Sequence, residues 1–144
     1  ADGINRPESG RRTAPSAVNW QEIEIFVALN SGVYFYNHKS NELELIQSGD
    51  YRKDMGKQNF VGAASMVLIF VSNHDKMEGA SEKAMEFYGA TDCGNVSQNV
   101  YLFCASENMA TVVLGMIDRE KISKLLKLKD TQKVILTQPV GYSK

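Results

Sequence analysis

The chain has 144 residues, about the length of one domain, and a compact domain of this size can bury roughly two-thirds of its unfolded surface. Sixteen Lys and Arg against seventeen Asp and Glu leave a formal charge of -1 without a long basic stretch, which argues against sequence-independent nucleic-acid binding. The longest apolar run is far shorter than the roughly twenty residues of a membrane-spanning helix, so neither nucleic acid nor membrane is expected as a partner.

Residues 1–21 are predicted to form an irregular arm, because they are rich in Gly, Pro, Ser and Asn and lack sustained periodicity. Within this arm, residues 11–21 combine paired cations, small turn residues and two amides directly before a strand. Arginine offers a planar donor fork to phosphate or carboxylate, and the small side chains of Ser16 and Ala17 would let a ring approach the main chain. This composition suits a flat polar ligand.

Three antiparallel strands are predicted after the arm. Residues 22–29 alternate with a period of two, which predicts a strand with one strongly buried face. Residues 33–36 and 43–46 are extended runs that flank a polar loop of hairpin composition. Residues 66–71 are continuously apolar, which is typical of a central strand buried on both faces.

The helices are predicted mainly in the second half of the chain. Residues 50–57 favour a short helix, and Ser81 is a suitable N-cap for a helix over residues 82–88. A break is expected at Gly89, followed by a second, largely apolar core helix over about residues 95–107.

The remaining residues mix strand and helix. Residues 110–114 favour a strand, Asp118 can cap a helix that ends near residue 128, and residues 133–137 favour a last strand that ends by Pro139. Strands and helices do not alternate as βαβ units, so the pattern favours the α+β class.

The cysteines and histidines indicate no metal or redox site. On one continuous helix, the eleven residues between Cys93 and Cys104 would separate them by roughly 16 Å, beyond the reach of a disulfide. We expect free, packed thiols, with a redox pair as the less favoured alternative. His38 and His74 lie in a predicted turn and a loop without ligand spacing, so no metal is expected. The compartment is not identified, although a cytoplasmic location is slightly favoured.

Three segments occur in a characteristic order. They are the Arg-Arg-Thr-Ala-Pro-Ser-Ala-x-Asn-x-Gln run of residues 11–21, Gln98-Asn99-x-Tyr101-Leu102 in a helix that leads to Gly115, and the terminal Gln138-Pro139-Val140-Gly141-Tyr142. Together they resemble the FMN-dependent nitroreductase family, at varying strength from Gly3 to the last residue. The resemblance implies a single nitroreductase-like α+β domain over residues 1–144, with a central, mainly antiparallel sheet flanked by helices.

The same resemblance implies a function. Family members are homodimers with one FMN in each of two clefts at the subunit interface. NAD(P)H reduces the flavin by hydride transfer to N5, and a nitro compound, quinone or similar organic acceptor reoxidises it in a ping-pong cycle. A flavin supplies the chemistry while main-chain and side-chain amides tune it, so such a site needs no acid–base residue, and we identify no catalytic residue.

The resemblance also implies cofactor-binding positions. Those matching the family's Pro-Ser-x-x-Asn segment, which lies along the isoalloxazine held by the partner subunit, are Pro15, Ser16, Ala17 and Asn19. Those matching the segment under flavin N5 are Val113, Leu114 and Gly115. Further ring contacts of the family correspond to Gln58, Asp92 and Gly94.

The sequence departs from the family at two points. The family's N-terminal helical segment, with its Arg-rich motif for the FMN phosphate, has no counterpart here, which leaves Lys144 as a candidate while Arg11 and Arg12 belong to a different segment. Asn108-Met109 replaces the family's Gly-Leu, and Asn also suits a left-handed helix cap. The alternatives to an enzyme are a truncated non-catalytic family member and a small-molecule binding module that uses the same cleft.

Overall fold

A central antiparallel sheet organises the computed structural model, which describes residues 6–142. Six strands form this sheet in the order β3-β2-β1-β4-β6-β5, and all neighbouring strands are antiparallel. The strands are β1 (Ile23–Ala28), β2 (Gly32–Asn37), β3 (Glu42–Ser48), β4 (Met66–Asn73), β5 (Ala110–Thr111) and β6 (Gln132–Gly141). The consecutive antiparallel strands β1, β2 and β3 and the central position of β4 are confirmed.

Helix α1 (Glu82–Ser106) and helix α2 (Arg119–Leu126) cover opposite faces of the sheet. On β1, the side chains of Ile23, Ile25 and Val27 pack in the cluster that contains α1, whereas Phe26 and Ala28 pack in the cluster that contains α2. Successive side chains of a strand point to opposite faces, so this division places one helix on each side. The α+β fold with a sheet flanked by helices is therefore confirmed.

Strand β1 is buried more completely than its sequence indicates. We predicted one strongly buried face, but five of its six residues are buried, on both faces. The prediction is wrong because β1 lies between β2 and β4 and is covered by packing from both sides.

Helix α1 is one continuous helix of 25 residues, so the predicted break at Gly89 is wrong. A side-chain carbon at Gly89 would lie 2.6 Å from Ser72 Oγ of β4, so glycine allows the helix to pack closely on the sheet there. The helix-breaking tendency of glycine is worth only about 1 kcal/mol, which tertiary packing readily outweighs. The predicted cap is confirmed, because Ser81 Oγ accepts the Ala84 N–H at 3.3 Å.

Three other predicted boundaries are wrong. The helix predicted over residues 50–57 is a single short turn at Arg52–Met55. The strand predicted over residues 110–114 contains only β5, while Leu114 forms an isolated bridge with Thr137. Strand β6 continues past Pro139, whose carbonyl oxygen accepts a hydrogen bond from Thr111 Oγ1 at 2.8 Å.

The end of α1 and the start of α2 follow the predicted capping chemistry. Asn108 is left-handed with a φ of 54°, and Met109 N–H donates to the Cys104 carbonyl at 2.8 Å. Asp118 Oδ1 accepts the Lys121 N–H at the start of α2. Cys93 and Cys104 are free and buried, as predicted. Within residues 6–142, no helix is both long enough and apolar enough to span a bilayer.

Candidate functional site

The arm, defined here as residues 6–21, ends in a strained turn. Val18, Asn19 and Gln21 all have left-handed backbone angles, with φ of 52°, 59° and 51°. This conformation is rare for a β-branched residue, and the Val18 side chain gains little in return because it is 84% exposed. Such strain persists only where the surrounding structure holds the backbone.

Hydrogen bonds from helix α1 hold this turn. Ala17 N–H donates to Asp92 Oδ2 at 2.8 Å, and Asn95 Nδ2 donates to the Pro15 carbonyl at 3.3 Å. Within the arm, Gln21 N–H donates to Ser16 Oγ at 2.9 Å. The shape of the turn therefore depends on polar side chains of α1 as well as on the arm itself.

Asp92 and Gly94 are directed to different sides of α1. Asp92 is only 4% exposed, and its carboxylate accepts the Ala17 N–H beneath the arm. Gly94 is exposed, with open space where a side chain would lie. Of these two predicted ring contacts, Gly94 thus borders open space, whereas Asp92 contacts the arm of its own chain.

A second carboxyl group lies beneath the arm. Glu22 is 0% exposed, and neither of its carboxyl oxygens has a hydrogen-bond partner within the described residues. Burial, together with the nearby Asp92 carboxylate, raises the pKa of Glu22 to about 7. Burial disfavours a charged carboxylate, and a neighbouring negative charge adds to that cost.

The segment of residues 113–115 is held from two sides. Val113 N–H donates to Tyr101 Oη of α1 at 2.7 Å, and the main chain of Leu114 pairs in both directions with Thr137 of β6. Gly115 is exposed, and no described residue accepts a hydrogen bond from its N–H. The segment is thus fixed in place, and it leaves one main-chain donor available to a ligand.

Gln58 lies next to this segment. A side-chain carbon at Gly56 would be 2.8 Å from Leu114 Cδ1 and 3.2 Å from Gln58 Oε1, so glycine at this position lets the two residues approach each other. Gln58 Oε1 is buried and has no hydrogen-bond partner in the described part of the chain. A buried amide oxygen without a donor is costly, which makes it a candidate ligand contact.

An open cavity of about 540 Å³ lies at the β5 edge of the sheet, and we call it the edge cavity. This volume is within the range of small-molecule sites. Its lining is largely apolar and includes the aromatic rings of Phe60 and Tyr142. The complete lining is Phe60, Ala63, Ala64, Ser65, Ala110, Thr111, Val112, Pro139, Val140, Gly141 and Tyr142.

The predicted site residues form two groups within one chain. Pro15 and Ser16 line a much smaller cavity together with Asp92, and this cavity shares no lining residue with the edge cavity. Gln58 and Leu114 form the other group. They do not line the edge cavity themselves, but Phe60 and Val112, which are two residues away from them in the chain, do. Lys144 lies outside the described residues. Within residues 6–142, no group of three or more His, Cys, Asp or Glu is arranged to hold a metal.

Sequence reasoning missed several residues that shape these two groups. Tyr101 and Arg119 fix the 113–115 segment, since the Arg119 guanidinium donates to the carbonyl oxygens of Gly115, Val134 and Ile135. Tyr101 belongs to a segment that carried the resemblance, but its spacing does not indicate a partner. Glu22 is the first residue of the predicted strand over residues 22–29, and no signal in the sequence indicates that it is fully buried.

Comparison with known proteins finds similar sequences and structures over most of this chain. The family model described as "Nitroreductase family" matches residues 8–142. The curated protein named "Putative nitroreductase MJ1384", from Methanocaldococcus jannaschii, is 29% identical to this chain, and the match covers 93% of this chain and 72% of that protein.

Two solved structures extend the comparison. One, named a "putative nitroreductase" from Ralstonia eutropha JMP134, has a TM-score of 0.92 and 36% identity, and the match covers 99% of this chain and 68% of that one. The other, named a "putative NAD(P)H:FMN oxidoreductase" from Staphylococcus epidermidis ATCC 12228, has a TM-score of 0.68 and 16% identity, with 90% and 70% covered. The second match supports the fold alone.

Proposed function

This chain belongs to the nitroreductase family, and we propose that it is an oxidoreductase that uses FMN to pass hydride from NAD(P)H to an organic acceptor. Membership of the family supports the reaction class. The Staphylococcus epidermidis structure, which shares the fold, carries a name that pairs NAD(P)H with FMN, and we propose the same combination for this chain. The nature of the acceptor, a nitro compound, a quinone or a similar molecule, is part of the proposal.

The observation that carries the proposal is the pair of unused polar groups beside Leu114. Gln58 offers a buried amide oxygen without a donor, and the exposed residue Gly115 offers an N–H that no described residue accepts. A flavin ring carries both hydrogen-bond donors and acceptors along its edge, so the two groups are complementary to it. The residues present therefore fit the cofactor at this position.

FMN, when bound, would supply the hydride-transfer chemistry, and the chain would hold the cofactor in position and set its polar surroundings. Gly115 N–H would donate to the reactive edge of the ring, and Gln58 Oε1 would accept from it. Because Tyr101 and the bridge with Thr137 fix this segment, the donor is held in place before the ligand arrives. A preorganised donor loses little free energy on binding.

The edge cavity would hold the apolar parts of the ligands. Phe60, Val112 and Tyr142 expose large apolar surfaces at its wall. Exposed apolar side chains grouped around a concave surface are typical of a binding site. We assign the apolar part of the flavin ring to this cavity, together with the planar nicotinamide and the organic acceptor, which contact the ring one after the other.

A second copy of the chain completes the proposed site. No residue of the arm lines the edge cavity of its own chain. This supports a site in which the arm of one chain contacts a ligand in the edge cavity of the partner subunit. Helix α1 also exposes Phe87, Leu102 and Phe103, although its opposite side packs on the sheet. A helix that is apolar on both sides is suited to an interface, so we propose a homodimer that packs through α1.

Absorbance spectroscopy of the purified protein, with and without added FMN, tests the cofactor. We expect a flavin spectrum that is shifted from that of free FMN, together with FMN-dependent oxidation of NADH or NADPH when a quinone is present. A protein that binds no FMN would contradict the proposal. Binding of FMN without any turnover would contradict the enzymatic part and favour a binding module.

A further inference from the structure

We propose that Glu22 and Asp92 share one proton beneath the arm and that this pair holds the arm in its strained turn. Asp92 is then a positioning residue, because it acts on the main chain of Ala17 and not on a ligand. Any effect of this carboxyl pair on FMN binding rests on the proposed function, whereas its effect on the conformation of the arm does not.

The contrast between two glutamates at the start of β1 is the first support. Glu24 accepts hydrogen bonds from Asn73 Nδ2 at 2.9 Å and Gln132 Nε2 at 2.7 Å, and it forms a 3.0 Å ion pair with Lys76. Neither oxygen of Glu22 has a hydrogen-bond partner of this kind, and its own backbone N–H lowers its pKa by less than burial raises it. An ionised carboxylate needs donors when it is buried, so Glu24 is suited to the charged form and Glu22 to the neutral form.

The titratable and charged groups near Glu22 come from two elements. Helix α1 contributes Asp92 and Cys93, and the short turn His74–Lys76 after β4 contributes the Lys76 ammonium, whose ion pair is with Glu24. Burial, with the charge of Glu22 adding, raises the pKa of the Cys93 thiol to about 12, so this thiol is neutral. Arg12 lines the small cavity beneath the arm together with Asp92.

The proton belongs on Glu22, because Asp92 already has a donor. Asp92 Oδ2 accepts the Ala17 N–H at 2.8 Å, whereas neither carboxyl oxygen of Glu22 has a hydrogen-bond partner among the described residues. Two adjacent carboxylates can only accept hydrogen bonds, whereas a protonated Glu22 donates an O–H to Asp92. One proton thereby converts a repulsive contact into a charge-assisted hydrogen bond.

The arm depends on this arrangement because its turn is strained. Val18 and Asn19 directly follow Ala17 in left-handed conformations, and the Ala17 N–H donates to a side chain of α1, so this bond ties the strained turn to the helix. When Glu22 loses its proton, Asp92 must move away from a second buried charge or draw in water. Either change weakens its bond to Ala17, so the arm loosens as the pH rises.

Amide hydrogen exchange of the purified protein, without FMN, tests the pair. Protection factors corrected for intrinsic exchange rates are compared between arm residues 14–21 and strand β4 at about pH 6 and about pH 8. We expect arm protection in the wild type to fall at least about fivefold between these pH values while β4 is unchanged. In Asp92→Ala, arm protection is lost at both pH values.

Conservative variants separate positioning from general damage. Asp92→Asn keeps an oxygen for Ala17 N–H and should retain arm protection. Glu22→Gln keeps a neutral donor toward Asp92 and should abolish the fall with pH, whereas the matched control Glu24→Gln should preserve it. Infrared spectra should show a protonated-carboxyl band at about pH 6 that is missing in Glu22→Gln.

Two results would overturn the proposal. One is arm protection in Asp92→Ala equal to that of the wild type, and the other is a pH-dependent fall that persists in Glu22→Gln. If Asp92→Ala does not fold, Glu22→Gln and the infrared band still decide the matter. Because these measurements contain no flavin, a failure of the proposed cofactor would leave their outcome unaffected.

Discussion

The arm and the edge cavity use opposite kinds of structure for one proposed site. The arm is a strained turn whose position depends on single polar side chains, above all Asp92. The edge cavity is formed by the sheet edge and the loops beside it, with a largely apolar lining. We therefore expect that removing one hydrogen-bonding side chain can displace the arm, whereas the edge cavity is blocked only when a large side chain occupies its volume.

Filling the cavity should have the largest effect. Ser65 is exposed and lines the edge cavity, so Ser65→Trp should weaken FMN binding about a hundredfold, or about 2.8 kcal/mol. Quenching of flavin fluorescence measures the dissociation constant. The matched control is Ser40→Trp in the loop between β2 and β3, which is exposed and does not line the cavity. Equal affinities for the two variants would remove the edge cavity from the site.

The carboxyl pair should have the next largest effect, on stability. The pKa of Glu22 is about 7 when folded and has a reference value of 4.5, so the folded state binds the proton more tightly. The stabilisation is complete below about pH 4.5 and is lost as the pH rises toward 7. Glu22→Gln stays neutral and should raise the free energy of unfolding by about 2 kcal/mol at pH 8, with little change at pH 5.

Urea denaturation at several pH values measures this difference. Glu24→Gln is the control, because it removes a carboxylate that already has donors and should destabilise the protein at both pH values. If Glu22→Gln had the same effect at pH 5 and pH 8, Glu22 would be ionised throughout this range.

Two glycines of α1 should respond in opposite directions. Gly89→Ala places a carbon 2.6 Å from Ser72 Oγ and should lower the free energy of unfolding by about 1.5 kcal/mol. Gly94→Ala meets open space and should raise it by about 0.7 kcal/mol through helix propensity. If Gly94 faces the flavin, the same variant should bind FMN less tightly. Thermal melting and FMN titration of both variants give the comparison.

Relief of the strained turn should have the smallest effect. Asn tolerates the left-handed conformation better than a β-branched residue, so Val18→Asn should raise the free energy of unfolding by about 0.7 kcal/mol. FMN binding should not improve, because the Val18 side chain is exposed and the turn keeps its shape. A loss of stability would show that Val18 makes a contact, such as one across a dimer interface.

Much of the fold could be predicted because it follows from local patterns. Alternating and continuous apolar runs located β1 and β4, and Ser81, Asn108 and Asp118 marked helix ends by their capping chemistry. The continuity of α1 could not be predicted, because it depends on packing of Gly89 against a strand that is distant in sequence. Local propensity contains no information about such contacts.

The candidate site was less predictable for the same reason. Family resemblance indicated Asp92 as a ring contact, but the structure directs its carboxylate to the arm of its own chain. Glu22 resembles Glu24 in sequence and differs from it only in the donors that distant residues provide. The predicted cofactor roles of the arm, Gln58, Asp92, Gly94, residues 113–115 and Lys144 stay predictions.

Mixed dimers test most directly whether two chains form the site. Ala17→Trp blocks the ring-facing arm and Ser65→Trp blocks the edge cavity, and differently tagged subunits allow the mixed dimer to be purified. If each site combines the arm of one chain with the cavity of the other, the mixed dimer contains one site without a block and one site with two. We predict one tightly bound FMN per mixed dimer and no tightly bound FMN in either parent dimer. A mixed dimer that binds no FMN, although the wild type does, would contradict the shared site.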